Sequence, residues 1–263
     1  MTDRKDVLFE RRDALGILTL NRPERLNALS GDMVTGCLEI IGELSRDRSA
    51  RALLITGAGR GFCSGADLGE EQPLEGTAGR LGEGMRTGIN RLIMAIGEAP
   101  FPVVTAVNGP AAGAGVGIAL AADFLVASQS MRLLLTFSRI GMGLDAGTSW
   151  FLSNLLGTKR AAAVSMLIEP IDAQKALDWG IAWSVAPDES LLKEATALAT
   201  RLSRGATLAY AAQKKQIRLA RTLSLEEALD LEADVQDELV RSNDLKEGIA
   251  AFREGRDATY TGT

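Results

Sequence analysis

An α/β fold followed by a helical tail is what the sequence predicts, and three observations carry that expectation. Up to about Gly147, short apolar runs of strand length alternate with segments of helical spacing. Beyond Gly147 the segments are almost all helical. The 263 residues are 46% hydrophobic and 24% charged, the balance of a chain that buries a substantial core.

Taken in order, Val7 to Arg11 and Leu15 to Leu20 read as a hairpin of strands turning at Asp13. Asp32 to Leu44 places Met33, Cys37, Ile40, Ile41 and Leu44 on one side of a helix. Arg51 to Thr56 is a buried-strand run that stops at Gly57. Residues 69–84, rich in Gly and Glu around Pro73, read as a mobile surface loop. Met85 to Gly97 returns to helical spacing and Phe101 to Val107 to strand. Ala114 to Ala122 is small and apolar, as in a tightly buried helix. Phe124–Ala127 and Met131–Leu135 are two further strands. Then Ser149–Leu156, Lys159–Leu167, Ala173–Trp179, Glu189–Leu202, Ala206–Ala220, Leu225–Val240 and Leu245–Phe252 read as helices, with Ile181–Val185 the one strand among them. The last helices are amphipathic and charged, and are expected to cover the first domain or a neighbouring subunit. The boundary is expected between Asp188 and Arg204.

Composition narrows the function. The net charge of -5 argues against nucleic acid as the main partner, because phosphate binding wants a basic surface. The chain has no histidine, which excludes a Ser-His-Asp or Cys-His nucleophile within it and any His-dependent metal site. Two cysteines, Cys37 and Cys63, are too few for a disulfide framework or a Cys-rich zinc site. No metal is expected. Acid–base work is left to carboxylates, lysine, tyrosine or the backbone. So few cysteines make a reducing cytoplasm the expected location; the charged start, MTDRKDVLFE, lacks the apolar stretch of a signal peptide, and no apolar run reaches the ~20 residues of a membrane helix.

Two glycine-rich turns are the candidate chemistry. Gly57-Ala58-Gly59-Arg60-Gly61-Phe62-Cys63-Ser64-Gly65-Ala66-Asp67-Leu68 follows one strand. Asn108-Gly109-Pro110-Ala111-Ala112-Gly113-Ala114-Gly115-Val116-Gly117 joins another strand to a helix. Small residues let a ligand approach the backbone, and the second turn aims free N–H groups at it, equipment for an anion or a developing oxyanion. A dinucleotide fingerprint fails on spacing, since its third glycine falls on Phe62 or on Ile118, and there is no phosphate-binding G-x-x-x-x-G-K-[ST].

Together and in order, F-C-S-G-A-D-L, then N-G-x-A-x-G-x-G, then F-S-x-I-G at Phe137–Gly141 resemble the crotonase superfamily, the enoyl-CoA hydratase/isomerase family. The resemblance runs from Leu20–Leu29 to Ser242–Phe252, nearly the whole chain. It implies a spiral of ββα units, with residues 1–200 as a core holding a CoA and acyl pocket. Residues 201–263 would then form a C-terminal helical region that builds a homotrimer, or a hexamer as a dimer of trimers. It implies an acyl-CoA substrate, with coenzyme A as part of the thioester and no separate cofactor; RNA binding, which occurs in a few members of the family through basic surfaces, is disfavoured here by the negative net charge, and no membrane partner is expected. The backbone N–H groups of Ala66 and Ala114 would form a thioester oxyanion hole, while Arg25, Leu26, Ala28, Ala66, Asp67 and Leu68 would line the CoA nucleotide.

The general acids depart from the family's hydratases. The two catalytic glutamates of those enzymes fall here on Gly117 and Phe137. One acid remains in a recognised place. Gly141-Met142-Gly143-Leu144-Asp145-Ala146-Gly147 resembles the G-L-x-P-D-x-G turn of family isomerases, among them ring-epoxide isomerases and Δ3-Δ2-enoyl-CoA isomerases, with Leu144 replacing the proline. Asp145 is accordingly expected to shuttle a proton while a double bond shifts. A pocket of Phe137, Leu144 and Trp150 would raise its pKa; the plainer reading makes Asp145 the cap of the next helix. The alternatives are a hydratase or other acyl-CoA lyase or hydrolase with a non-standard acid or base, and a non-catalytic acyl-CoA-binding protein. Asp67 is expected to brace its turn, Asp123 to end a helix and Cys63 to be buried. Lys214, Lys215 and Phe252 are secondary candidates for the CoA nucleotide, and Glu70, Glu71 and Glu75 for a loop over the acyl chain.

Overall fold

Strands of near-continuous apolar sequence are stable only in a sheet covered on both faces, and this chain provides both covers. The structure, a computed structural model, describes residues 5–67 and 80–263. Its main sheet takes β1 (Val7–Arg12), β2 (Leu15–Leu20), β3 (Ala52–Gly57), β4 (Val103–Val107), β6 (Phe124–Ser128) and β9 (Ser184–Ala186) in that spatial order. The first two form the expected antiparallel hairpin, turning at Asp13 with φ +53°; all later pairings in this sheet are parallel. A second sheet joins β5 (Pro110–Ala112), β7 (Arg132–Leu134) and β8 (Ile171–Asp172).

Alternation along the strands divides the core in two. Leu18, Leu20, Leu53, Ile55, Val103 and Val107 face the larger core. That side carries α1 (Gly31–Asp47), α3 (Ile89–Glu98), α4 (Ala114–Ala121) and α5 (Thr148–Met166). Ile17, Leu54, Val104, Ala106 and Val126 face the other way, against Leu191, Ala195 and Ala199 of α7 (Leu191–Ser203). In α1 the expected stripe of Met33, Cys37, Ile40, Ile41 and Leu44 is buried, and the Ser30 hydroxyl caps the helix by accepting the Met33 N–H at 3.1 Å. The tail adds α8 (Thr207–Leu219), α9 (Leu225–Leu239) and α10 (Asn243–Glu254).

The two helices expected over Ser149–Leu156 and Lys159–Leu167 are the two halves of α5, separated by the non-helical backbone of Gly157, whose φ of +73° only glycine adopts easily. The sequence reading is corrected in three places. The helix expected over Met85–Gly97 is two, α2 (Leu81–Thr87) and α3, broken at Gly88. Ile181–Val185 is not the one late strand, because Ile171–Asp172 also pairs, in a strand too short to show a period. The loop expected over 69–84 lies outside the described residues as far as 79, and from Leu81 it is helix. No helix among the described residues is long and apolar enough to cross a membrane.

Candidate active site

A turn made of glycine and alanine has no side chains with which to hold itself, so its shape must be imposed from outside. Two asparagines do this for residues 57–61. Asn27, fully buried between β2 and α1, accepts the Arg22 N–H at 2.8 Å. Its Nδ2 donates to the carbonyls of Ala58 at 2.9 Å and Gly61 at 2.8 Å. Asn108, just past β4, accepts the Gly57 N–H at 3.2 Å and donates to the carbonyls of Gly59 at 2.9 Å and Gly61 at 3.2 Å. The chain then pairs with the second turn. Phe62 N–H donates to Pro110 O at 3.0 Å, and Ala112 N–H donates to Cys63 O at 2.8 Å. A Cβ on Gly115 would run into the Cys63 carbonyl, so the close approach of the two turns requires glycine there.

This framework brings Ala66 and Ala114 together. Gly65, at φ +91°, turns the chain so that Ala66 bridges to Leu29, with Leu29 N–H on Gly65 O at 2.8 Å and Asp67 N–H on Leu29 O at 3.2 Å. Gly113, at φ +52°, leads into α4, where Ala114 is the first residue. A Cβ on Gly65 would stand 3.4 Å from the Ala114 nitrogen. Among the described residues neither the Ala66 nor the Ala114 N–H has a hydrogen-bond partner. The Ala114 group also carries the positive end of the helix. Two such donors side by side can hold an oxygen on which negative charge develops.

Other sequence candidates fall around this pair. Arg25 is exposed, Leu26 half-buried and Ala28 buried, in a turn where Leu26 and Asn27 both take left-handed φ near +50°. Ser64 ties that turn to the glycine loop, its N–H on Leu26 O at 2.9 Å and its hydroxyl on Arg25 O at 3.1 Å. Asp67 braces its turn as expected, its Oδ2 2.8 Å from Nη1 of Arg22, which also donates to Ala28 O. Leu68, Glu70, Glu71 and Glu75 lie outside the described residues. Arg22, Asn27 and Asn108 carry the framework, and the sequence reading gave them no role. The available signal was an asparagine in a short strand-to-helix loop, where left-handed backbone favours that residue.

At the two positions where a hydratase of this pattern places glutamates, the structure leaves no acid. Gly117 sits one turn into α4 with Ala146 packed on it; a Cβ there would overlap the Ala146 carbonyl and stand 2.6 Å from the Ala146 Cβ. Phe137 is buried, its ring 3.9 Å from where a Cβ of Gly113 would be. Asp145, next to Ala146, has a buried Oδ1 without a hydrogen-bond partner. Its burial without a partner pushes its carboxyl up to about 6. It is not a side-chain cap. The start of α5 has no side-chain cap, and it is the Asp145 carbonyl that accepts the Thr148 N–H at 2.9 Å and the Thr148 hydroxyl at 2.7 Å.

Two expectations, for Trp150 and Lys214, are corrected. Trp150 does not join Phe137 and Leu144; it is 44% exposed, under the Arg221 guanidinium, and lines a cavity between α3 and α8. Lys214 is not free for a ligand of the glycine turns, since Nζ pairs with Asp123 at 2.8 Å and donates to Ile96 O at 3.1 Å. Asp123 lies just past the end of α4 and also accepts the Val103 N–H at 2.8 Å. Phe252 is 87% exposed. Cys63 is buried as expected, and burial pushes its thiol up to about 12.

A family model described as enoyl-CoA hydratase/isomerase matches residues 10–263. A relative in Escherichia coli K12 named 1,2-epoxyphenylacetyl-CoA isomerase is 39% identical, over 93% of this chain and 94% of its own. One in Rhodobacter capsulatus, named a probable enoyl-CoA hydratase, is 40% identical over 97% and 98%. The crystal structure of an enoyl-CoA hydratase from Polaromonas superposes with a TM-score of 0.89 at 32% identity, covering 97% of this chain and 99% of that one.

Two measurements check this framework. Asn27→Ala strands the part-buried Arg22 N–H and Ala58 carbonyl and puts alanine in a left-handed turn. Urea unfolding should show a loss of about 2–5 kcal/mol, and a loss under 0.5 kcal/mol would mean the turn holds itself. Gly117→Ala should lower stability by about 1–3 kcal/mol through overpacking against Ala146; an unchanged melting curve would contradict the packing described.

Proposed function

The chain belongs to the enoyl-CoA hydratase/isomerase family, and from that premise we propose that it shifts a double bond within an enoyl-CoA, with Asp145 as the proton carrier. The thioester oxygen accepts the Ala66 and Ala114 N–H groups. The Asp145 carboxylate takes a proton from the carbon next to the thioester. The C–H electron pair moves into the thioester, giving a dienolate whose charge rests on that oxygen. Asp145 then returns the proton at the γ carbon, the double bond moves from β,γ to α,β, and the carboxylate is restored.

One observation carries this reading: the only acid in the three family positions is a carboxyl with a buried, unpartnered oxygen. A general base works best with a pKa near the working pH, and burial moves Asp145 in that direction. Hydration would need a group to activate water, and glycine and phenylalanine cannot do so. The relatives are named for both isomerase and hydratase activity, so identity alone does not choose between them. We also read residues 1–200 as the catalytic core and 201–263 as an oligomerising region. Leu225, Leu229, Ile249 and Phe252, exposed on α9 and α10, support that reading.

The test is turnover of 3-enoyl-CoA, 2-enoyl-CoA and the ring epoxide of phenylacetyl-CoA in deuterated water, read by NMR and mass spectrometry. Bond migration with deuterium at the α or γ carbon is expected, and Asp145→Asn should lower its rate by about 10²–10⁴-fold. Water addition in place of migration would sink the mechanism.

The base must be ionised, so kcat/KM should fall about tenfold per pH unit below about 6 and be level above it. The raised pKa means that the folded state holds this proton more tightly than the unfolded chain. Stability from Asp145 therefore falls as pH rises from about 4 to about 6. Asp145→Asn lacks that loss and should melt no lower than wild type at pH 8, whereas a structural role would make it melt lower. Sedimentation velocity should give a trimer or hexamer; a monomer at micromolar concentration would remove the role given to residues 201–263.

A further inference from the structure

A cavity of about 780 Å³ lies between α3, the end of α4, the start of α5 and α8. That volume is in the range of small-molecule sites. Its walls are mostly apolar, with Ile93, Met94, Leu120, Phe151 and Ile217 among them. Three cations interrupt that surface. Lys214 and Arg218, four residues apart, lie on one side of α8, and Arg221 follows in the turn just past its end. Among the described residues Asp123 is the only acid in the walls, and its carboxylate is engaged by Lys214.

Among the described residues, the two arginines therefore line the cavity without a counter-charge. Arg218 is the sharper case. Its guanidinium lies over Gly97, where a Cβ would come 2.5 Å from Nη1, and that Nη1 is buried with no hydrogen-bond partner. Cations near a helix C-terminus complement its dipole, but that accounts for charge in water and not for a buried donor left unmade. A buried N–H of a charged group calls for an acceptor. Arg221 stands at the mouth, exposed, 5.0 Å over the Trp150 ring, which leaves its edge N–H groups available.

We propose that this cavity binds the carboxylate-bearing end of an apolar molecule, with the anion on Arg218 and Arg221 and the chain against Ile93, Met94, Leu120, Phe151 and Ile217. Guanidinium groups pair carboxylates through parallel N–H bonds, and the apolar walls select a hydrocarbon behind the anion over a small hydrophilic one. Two sources have this chemistry. One is a free amphipathic carboxylate. The other is the far end of an acyl-CoA whose chain ends in a carboxylate, because Gly147 in the cavity wall is two residues from Asp145.

Isothermal calorimetry on the full chain at pH 8 tests this with octanoate against octanol. Octanoate should bind roughly tenfold tighter or more, as expected of a charge-assisted hydrogen bond. Arg218→Gln and Arg221→Gln should each remove most of that preference; the second, at an exposed residue, keeps the test usable if the first misfolds. If octanoate still binds once the protein is saturated with octanoyl-CoA, the ligand is a separate molecule. If octanoyl-CoA displaces it, and the acyl-CoA with a terminal carboxylate binds roughly tenfold tighter than octanoyl-CoA, the ligand is the substrate's far end. Equal affinity for octanoate and octanol, or a preference that survives in both arginine variants, would overturn the proposal. None of these arms reads turnover, so their failure leaves the isomerase reading standing.

Discussion

The Asn27–Asn108 clasp on residues 57–61 is the constraint on which the rest of the site depends. A run of Gly-Ala-Gly-Arg-Gly has high conformational entropy when unfolded and few contacts to oppose it. Five hydrogen bonds from two side chains fix that run from outside. One asparagine comes from the segment after β2 and the other from the end of β4. Parallel pairing of β2 with β3 and of β3 with β4 brings both to the same edge of the sheet. The glycine positions then let the two turns close on each other, and the N–H groups of Ala66 and Ala114 are left without a partner among the described residues as a consequence. The sheet order, the two asparagines and the missing side chains are thus parts of one construction.

The surroundings of Asp145 show the opposite use of packing. Most buried polar groups in a folded chain are paired, yet one oxygen of this carboxyl is not. The loop that carries it has left-handed backbone at Ala146 and Gly147, φ +48° and +75°, and presses Ala146 onto Gly117. The same contact explains two features at once: it closes the position from which a glutamate could reach, and it places Asp145 where water is scarce. A carboxyl left this way destabilises the fold at neutral pH, and such local conflict is characteristic of positions kept for chemistry.

The second cavity repeats that logic with cations. Lys214 is compensated by Asp123 and by backbone carbonyls, so it serves the docking of α8 onto α3. Arg218 is not compensated, although it lies one turn away on the same helix. Two neighbouring cations in nearly the same surroundings, one satisfied and one not, separate a structural ion pair from a group that awaits a ligand.

Much of this was legible in the sequence because its physical signals are local. The hairpin at Asp13, the stripe of α1, the strand before Gly57 and the small-residue helix α4 each announce themselves within ten or so residues. The absence of histidine and of acids at 117 and 137 bounded the chemistry before any fold was known. The glycine motifs, taken in order, resemble those of the family to which the chain belongs. What the sequence could not decide was where distant side chains meet. That Asn27 and Asn108 close on the same carbonyl, that Trp150 turns away toward Arg221, that Lys214 is consumed by Asp123, and that Asp145 offers its carbonyl and not its carboxylate to α5 all depend on contacts between segments far apart in the chain. Periodicity and turn chemistry specify the elements, since they act between near neighbours. Burial and pairing specify the site, since they exist only once the sheet has brought the elements together.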